Sequence, residues 1–177
     1  MNIIHDIDEK RIMPENFIAC IEIAKGTKKK YEIDKKTGLI ILDRLLHTST
    51  HYPANYGFIP KTLSLDGDPL DVLVLCSESL DPLTLVRCYP IGVVTMLDNG
   101  KPDEKIIAIP FGDPMYNNYK EVSELPVYIS QELMHFLKVY KELEPNKVTE
   151  VGELMSRETA IKIIEQAKER YNKEFNE

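Results

Sequence analysis

The sequence predicts a mainly β protein of the α+β class, in which two helices pack on a small barrel or strongly curved sheet. The first two-thirds of the chain contains six or seven short apolar runs separated by turn residues, which favours a barrel over an alternating βαβ sheet. The last third changes to helical spacing. No repeat or flexible linker interrupts the chain, and its length suits a single domain over residues 1–177.

The strand predictions rest on apolar runs that end at turn signals. The first run is "FIACIEIAKG", and two more are contained in "KKYEIDKKTGLIILDRLL" on either side of the predicted hairpin loop Asp34–Gly38. The later runs are "DVLVLC", "TLVRCYPIGVVTML" and "KIIAIPF". The Asn99–Gly100 step between the last two is a strong signal for a tight turn, so these two strands are expected to form a hairpin.

Two helices are predicted near the carboxyl end. In "ELMHFLKVYKELE", the residues Leu133, Phe136, Leu137 and Tyr140 recur at the spacing of one helical face. In "SRETAIKIIEQAKERYNKEF", Ser156 suits the N-cap position. The apolar stripe of this second helix comprises Ala160, Ile163, Ile164, Ala167 and Tyr171.

Composition limits the kinds of partner and the compartment. The chain has 29 acidic and 22 basic residues, and its net charge of -7 disfavours nucleic acid or an anionic membrane as the main partner. Cys20, Cys76 and Cys88 are far apart and are predicted to be buried free thiols. The amino-terminal stretch lacks the apolar core of a signal peptide, and no apolar run approaches the ~20 residues of a membrane span. A cytoplasmic protein is therefore expected.

The stretch "SLDGDPLDVLVL" places Asp66, Asp68 and Asp71 within six residues at the start of an apolar strand. Like charges this close oppose folding unless a cation or a proton is held among them. Turn chemistry explains Asp66 beside its glycine, but it does not explain Asp71 inside the strand. A calcium-binding EF-hand is excluded, because its sixth and twelfth positions would be Asp71 and Ser77 instead of glycine and glutamate.

A second acidic pair, Asp98 and Asp103, flanks the predicted Asn99–Gly100 turn. Turns are rich in aspartate, so the pair alone is a weak signal. A barrel could bring both acidic groups to one mouth, however, where oxygen ligands without histidine or cysteine would select Mg²⁺ or Mn²⁺. Such an arrangement suits two-metal hydrolysis of a phosphate ester or anhydride.

A phosphate substrate would also need cationic and phenolic donors. Lys28 and Lys29 read as solvent-exposed loop residues, whereas Lys30 enters the alternation of a strand. The other candidates are Arg44, Tyr52, Tyr56, Lys105, Tyr140 and Lys141. None of them is decisive by position alone, although a phenol and an ammonium group can both donate to a phosphoryl oxygen.

The ordered motifs resemble those of the family I soluble inorganic pyrophosphatases of the bacterial type. The signature D-x-D-P-x-D before an apolar strand is present as "DGDPLDVLV". The further matches are "IEIAKG", "KYEIDKKTG", "LDR", "YPANYGFIP", the pattern of Asp98, Asp103 and Lys105, and the pair Tyr140–Lys141. They occur in family order from Glu22 to Lys141, about two-thirds of the chain, and the ordered set is far more specific than any one motif. The segment Phe111–Val122 carries no family motif.

The resemblance implies a five-stranded OB-like β-barrel with additional short strands and two flanking helices. It also implies hydrolysis of inorganic pyrophosphate to two orthophosphates, with Mg²⁺ as cofactor and Mn²⁺ or other divalent ions as substitutes. The expected assembly is a homohexamer. No nucleic acid or membrane partner is expected.

Carried onto this chain, the resemblance assigns roles to twelve residues. Asp66, Asp71 and Asp103 would bind the tightly held metals, with Asp71 bridging two of them. Asp98 would bind metal that arrives with substrate, and Glu22 would act near a metal or through its water. Asp68 would be the general base toward a metal-bridged water. The residues that would hold the phosphoryl groups are Lys30, Arg44, Tyr56, Lys105, Tyr140 and Lys141.

Three other functions compete with this one. An OB-type nucleic-acid-binding module would need a basic groove with stacking aromatics, which an acidic chain does not offer. A magnesium-dependent phosphatase or nuclease for larger substrates is compatible with the carboxylates, and only the ordered motifs argue against it. A purely structural metal-binding domain leaves the interleaved lysines, arginine and tyrosines unexplained.

Overall fold

The computed structural model describes residues 1–176 and shows ten strands and three α-helices. The strands are β1 (Ile12–Met13), β2 (Asn16–Ile23), β3 (Lys29–Ile33), β4 (Ile40–Leu45), β5 (Asn55–Ile59), β6 (Leu70–Val74), β7 (Leu85–Asp98), β8 (Lys101–Pro102), β9 (Lys105–Pro110) and β10 (Thr149–Ser156). The helices are α1 (Ile3–Asp6), α2 (Val127–Val139) and α3 (Arg157–Phe175).

Five strands form a closed ring. Strand β2 pairs with β5 on one side and with β7 on the other, while β6 and β9 complete the circuit between β5 and β7. The pairing of β6 with β9 is parallel, and the other ring pairings are antiparallel. The predicted mainly β fold is confirmed. Strands β1, β8 and β10 extend this sheet, whereas β3 and β4 form a separate two-stranded sheet.

Strand alternation divides the apolar residues between two cores. Val72 and Val74 of β6 lie in the core covered by α3, and Leu73 of the same strand lies in the core covered by α2. Successive side chains of a strand point to opposite faces, so a strand covered on both faces is apolar throughout. Each fully buried aliphatic side chain contributes about 1.5–3 kcal/mol to folding.

The second predicted helix is confirmed at its cap and along its stripe. Ser156 is the N-cap of α3, and its Oγ accepts a hydrogen bond from the backbone N–H of Thr159 at 3.3 Å. The five residues of the predicted stripe are the buried residues of α3.

The first predicted helix is confirmed in its face and at its carboxyl end, which the sequence places at Tyr140–Lys141. Helix α2 ends at Val139 with Tyr140 as its C-cap, and it begins at Val127, before the predicted stretch. The backbone N–H groups of Glu142 and Glu144 donate to the carbonyls of Val139 and Lys141, three residues back instead of four. The residues from Tyr140 to Glu144 therefore form a series of tight turns, so Lys141 and Glu144 are not part of the α-helix.

Both predicted turns are present. In the loop between β3 and β4, the Gly38 N–H donates to the Asp34 carbonyl at 2.7 Å, and Gly38 has a φ of +73°. Asn99 and Gly100 have φ values of +49° and +80°, the left-handed backbone that a two-residue hairpin turn needs. This turn reverses the chain from β7 into β8 and then β9.

The three cysteines are free and buried, as predicted. No helix within residues 1–176 has the length and apolar character needed to cross a membrane.

Candidate active site

One cavity of about 540 Å³ brings together eleven of the twelve predicted site residues. They come from separate parts of the chain: β2, β3, β5, β6, β7, β9, the loop before β6, the loop before β9 and the turn after α2. These residues are Glu22, Lys30, Tyr56, Asp66, Asp68, Asp71, Asp98, Asp103, Lys105, Tyr140 and Lys141. The twelfth, Arg44, does not line the cavity.

The loop before β6 places the clustered aspartates at the cavity wall. Asp66 Oδ1 accepts a hydrogen bond from the Asp68 N–H at 3.0 Å, and Gly67 between them has a φ of +90°. This is the turn chemistry predicted for Asp66. Asp71 follows inside β6, where its neighbours Leu70 and Val72 are fully buried. Since side chains alternate along a strand, Asp71 faces the cavity while both neighbours enter the core.

Lys105 is the cation at the centre of the acidic cluster. Its side chain is 2% exposed, and its Nζ donates to Asp71 Oδ2 at 2.7 Å, Asp103 Oδ1 at 3.0 Å and the Tyr56 hydroxyl oxygen at 3.0 Å. The parallel register of β6 and β9 places Asp71 directly opposite Lys105. Burial opposes the charge on Lys105, but the two carboxylates outweigh it and raise the pKa of the ammonium.

Glu22 lies on β2 and is half-buried. Its Oε1 accepts a hydrogen bond from the Ile33 N–H at 3.0 Å, which connects the ring to β3. Burial raises the pKa of the Glu22 carboxyl to about 8, and the neighbouring Asp71 adds to this shift. Burial likewise raises the pKa of Asp66, with Asp103 contributing in the same direction. The cavity thus contains more negative charge than its own amines balance.

Asp98 and Lys141 form a second ion pair across the cavity. Lys141 Nζ donates to Asp98 Oδ2 at 3.1 Å, while burial lowers the pKa of Lys141. The other oxygen, Asp98 Oδ1, is buried and has no hydrogen-bond partner among residues 1–176. Tyr140 lies beside this pair at the C-cap of α2, where its ring stacks on Phe136 with a centroid distance of 4.9 Å.

Asp68 is the most exposed of the aspartates predicted to act in catalysis or metal binding. Its Oδ1 accepts a hydrogen bond at 2.6 Å from Lys35, which lies in the β3–β4 loop. Lys35 also lines the cavity but was not predicted as a site residue. A lysine in a polar hairpin loop carries no signal of its own, since only the fold brings that loop to Asp68.

Arg44 lies behind Lys30, outside the cavity wall. Asp43 Oδ2 accepts hydrogen bonds from Lys30 Nζ at 3.0 Å and from Arg44 Nη1 at 2.5 Å. Arg44 Nε also lies 2.5 Å from Oε1 of the buried Glu144. Neither Asp43 nor Glu144 was predicted as a site residue. The family motif "LDR" contains Asp43, so the sequence offered a signal for it.

The carboxylates supply the oxygen ligands that a hard divalent cation prefers, but they are not arranged as a complete set of metal ligands. Within the described part of the chain, no three His, Cys, Asp or Glu side chains are grouped closely enough to hold a metal ion. The Lys105 ammonium instead lies between Asp71 and Asp103. The donors are all oxygen, which Mg²⁺ and Mn²⁺ prefer, and the buried Asp98 Oδ1 has no hydrogen-bond partner in the described part of the chain. The residues therefore fit such ions, with Lys105 neutralising part of the same charge.

The closed ring of strands and the densely charged cavity together define a small β-barrel enzyme.

Comparison with known proteins identifies the family. The family model described as "Inorganic pyrophosphatase" matches residues 19–172. The chain is 44% identical over 170 residues to the inorganic pyrophosphatase of Aquifex pyrophilus, covering 95% of this chain and 96% of that protein. It is also 44% identical over 172 residues to soluble inorganic pyrophosphatase 2 of Chlamydomonas reinhardtii, covering 97% of this chain and 88% of that one.

Solved structures give the same result. The crystal structure of inorganic pyrophosphatase from Thermus thermophilus superposes with a TM-score of 0.93 at 34% identity, covering 97% of this chain and 99% of that one. The chain belongs to the inorganic pyrophosphatase family, as a family I soluble enzyme of the bacterial type, and is a hydrolase.

Proposed function

We propose that this protein hydrolyses inorganic pyrophosphate to two orthophosphates with the help of divalent cations, Mg²⁺ first among them. The observation that carries the proposal is the cavity in which eight carboxylates face five ammonium groups and three phenols. A cavity with so many carboxylates repels a polyanion unless further cations lie between them. Metal ions and pyrophosphate therefore complete the charge balance together.

The carboxylates are proposed to divide the work of holding the metals. Asp66, Asp71 and Asp103 would hold the tightly bound ions, with Asp71 shared between two of them. Asp98 would hold an ion that arrives with substrate, and its partnerless Oδ1 supports this assignment. Glu22 would act beside a metal or through its water. When bound, the ions neutralise the phosphoryl oxygens and lower the pKa of water in the site.

The cationic and phenolic side chains are proposed to hold the two phosphoryl groups. Lys30, Lys105 and Lys141 would donate from their ammonium groups, while Tyr56 and Tyr140 would donate from their hydroxyls. Burial keeps Tyr140 in its protonated, donating form, because it raises the pKa of the phenol. Arg44 is proposed to support the phosphoryl group that Lys30 binds, from its position behind Lys30.

Asp68 is proposed to be the general base. The oxygen of the attacking water forms a bond to one phosphorus, and its proton passes to the Asp68 carboxylate. The bond from that phosphorus to the bridging oxygen breaks, and the second phosphate leaves. The charge that develops on the leaving oxygen is stabilised by the donors already in place. The exposure of Asp68 at the cavity wall allows it to return the proton to solvent.

Phosphate release from pyrophosphate by the purified protein tests the proposal, in excess Mg²⁺ and again with a chelator. We expect rapid release that stops with the chelator and returns when Mg²⁺ is restored. Faster turnover of a larger phosphate monoester, such as p-nitrophenyl phosphate, would favour a general phosphatase instead. Folded protein that releases phosphate from neither substrate would overturn the proposal.

The same enzyme is proposed to work as a homohexamer built from single-domain subunits, with one domain over residues 1–177. Exposed apolar side chains on β4, among them Ile41, Leu42 and Leu45, support association of subunits. Sedimentation equilibrium checks the assembly, and a mass of one subunit would contradict it. The cytoplasmic location expected from the sequence stays a prediction.

A further inference from the structure

Glu144 is a buried carboxylate that none of the roles above uses. Its side chain is 3% exposed, and it lies three residues after Lys141 in the turns that follow α2. Its Oε1 lies 2.5 Å from Arg44 Nε. A buried carboxylate is costly unless it is paired with a cation, and Arg44 supplies that cation.

Arg44 connects Glu144 to the cavity wall. The single atom Asp43 Oδ2 accepts hydrogen bonds from both Arg44 and Lys30. Lys30 lines the cavity, whereas Arg44, Asp43 and Glu144 do not. A continuous series of charged contacts therefore leads from Glu144 through Arg44 and Asp43 to the Lys30 ammonium.

The two ends of this series belong to parts of the fold that share no strand pairing. Lys30, Asp43 and Arg44 lie on β3 and β4, which pair only with each other within residues 1–176. Glu144 lies on the turns that also carry Tyr140 and Lys141, two residues of the opposite cavity wall. The Arg44–Glu144 ion pair is a direct contact between these two walls.

We propose that Glu144 is a positioning residue for phosphoryl binding. It holds Arg44, and through Asp43 it fixes the Lys30 ammonium relative to Lys141. The inference rests on the proposed function, because it takes the ligand between Lys30 and Lys141 to be pyrophosphate or a similar anion with at least two negative charges. Groups that bind a compact anion have to be held within ~0.5 Å of the productive geometry, which a two-stranded sheet without a strand pairing to the ring does not ensure by itself.

The first experiment compares Glu144→Gln with Glu142→Gln. Glu142 is an exposed residue of the same turns and serves as the matched control. The measured quantities are kcat and KM for pyrophosphate and the Kd of methylenediphosphonate, a non-hydrolysable analogue, both in excess Mg²⁺. Loss of a charged contact predicts that Glu144→Gln weakens analogue binding and lowers kcat/KM by roughly tenfold or more. Glu142→Gln should keep kcat/KM and the Kd of the analogue within about twofold of the wild-type values.

The second experiment separates positioning from a general loss of stability. In an Arg44→Met background, Glu144→Gln should cause almost no further loss of analogue affinity, because the contact it removes is already broken. An equal further loss in that background would overturn the inference, as would wild-type affinity in Glu144→Gln itself. If Glu144→Gln does not fold, Glu144→Asp replaces it, since it keeps the charge but shortens the reach. Wild-type affinity in Glu144→Asp would also overturn the inference.

The outcomes distinguish this inference from the proposed function. Wild-type protein that binds methylenediphosphonate but does not hydrolyse pyrophosphate would overturn the proposed function. The effect of Glu144→Gln on analogue affinity, with and without Arg44→Met, would still decide the role of Glu144. Active wild-type protein with additive effects of the two substitutions would overturn the positioning role alone. Wild-type protein that neither binds nor hydrolyses would overturn both.

Discussion

Asp113 is a buried carboxylate outside the cavity, in the segment that carries no family motif. Its oxygens accept hydrogen bonds from the Ser77 N–H at 2.6 Å, the Ser77 hydroxyl at 3.1 Å and the Met115 N–H at 3.0 Å. Burial opposes its charge, but these hydrogen bonds outweigh burial and lower the pKa of the Asp113 carboxyl below its ordinary value. The residue therefore anchors the loop after β9 to the end of β6.

This lowered pKa predicts how stability depends on pH. A carboxyl group whose pKa is depressed by folding contributes stability above its unfolded pKa and loses that contribution as the pH falls through the folded value. Asp113→Asn should therefore lower the free energy of unfolding by about 2 kcal/mol at pH 7, and its stability should fall less steeply below pH ~4. Urea unfolding at several pH values measures both effects. Asp81→Asn, an exposed substitution, is the control, and equal pH profiles for Asp113→Asn and wild type would contradict the prediction.

Asp68 is expected to matter for chemistry more than for folding. It is exposed, and it forms a surface ion pair with Lys35, a kind of contact that contributes little stability. Asp68→Asn should therefore keep the unfolding temperature while lowering kcat for pyrophosphate by about 10²- to 10⁴-fold near neutral pH. Steady-state phosphate release measures the change, with the exposed Glu78→Gln as control. Turnover close to wild type would show that another group takes the proton.

Eleven of the residues that line the cavity could be predicted from sequence, but their contacts could not. The motifs indicated that Asp71, Asp103 and Lys105 belong to one site. The position of the Lys105 ammonium between the two carboxylates depends on the parallel pairing of β6 and β9, which no local pattern encodes. The Arg44–Glu144 pair was missed for a similar reason, because the two residues meet only after the β3–β4 sheet packs near the turns after α2.

At the scale of elements, the closing contact between β2 and β5 depends on Gly57. A Cβ atom on Gly57 would lie 1.9 Å from the Cys20 carbonyl oxygen of β2, so any side chain separates these strands. Gly57→Ala should lower the free energy of unfolding by about 3 kcal/mol or more, because neither backbone can move without opening the ring. Thermal unfolding followed by circular dichroism measures the effect.

Gly112→Ala is the matched control for this prediction. A Cβ atom there would meet nothing within 4 Å, so the free energy of unfolding should change by less than about 1 kcal/mol. An unfolding temperature for Gly57→Ala equal to that of Gly112→Ala would show that the two strands accommodate a methyl group after all.

Elements with strong periodicity were predictable, whereas those formed by tertiary pairing were not. Ser156 and the apolar stripe of α3 follow local rules, and the structure confirms them. Strand β10 was not predicted, because its sequence includes Gly152 and its residues are exposed or half-exposed. It forms through pairing with β7, interrupted by a register shift between Val151 and Leu154.

At the scale of the whole molecule, the net charge of -7 and the acidic cavity have a common consequence. Negative charge collected in one place destabilises the fold until cations bind there. Lys105 balances part of this charge from within the chain. Further carboxyl groups, among them Glu22, Asp66 and the Asp98 oxygen that has no hydrogen-bond partner among residues 1–176, offer oxygen ligands to external ions, so stability and metal binding are expected to be linked.

This linkage gives a prediction that does not depend on catalysis. Ions that bind only the folded chain stabilise it by RT ln(1 + [L]/Kd), which is about 2.7 kcal/mol at a hundredfold excess over Kd. For a chain of this size, Mg²⁺ should raise the unfolding temperature by about 5–10 °C, whereas K⁺ at equal ionic strength should raise it far less. Asp71→Asn should lose most of this shift, because it removes the ligand proposed to be shared between two ions. Asp68→Asn should keep it, because the proposed general base is not assigned to a tightly bound metal. Differential scanning calorimetry of the three proteins with and without Mg²⁺ measures the shifts, and an equal Mg²⁺ shift in wild type and Asp71→Asn would exclude Asp71 as the shared metal ligand.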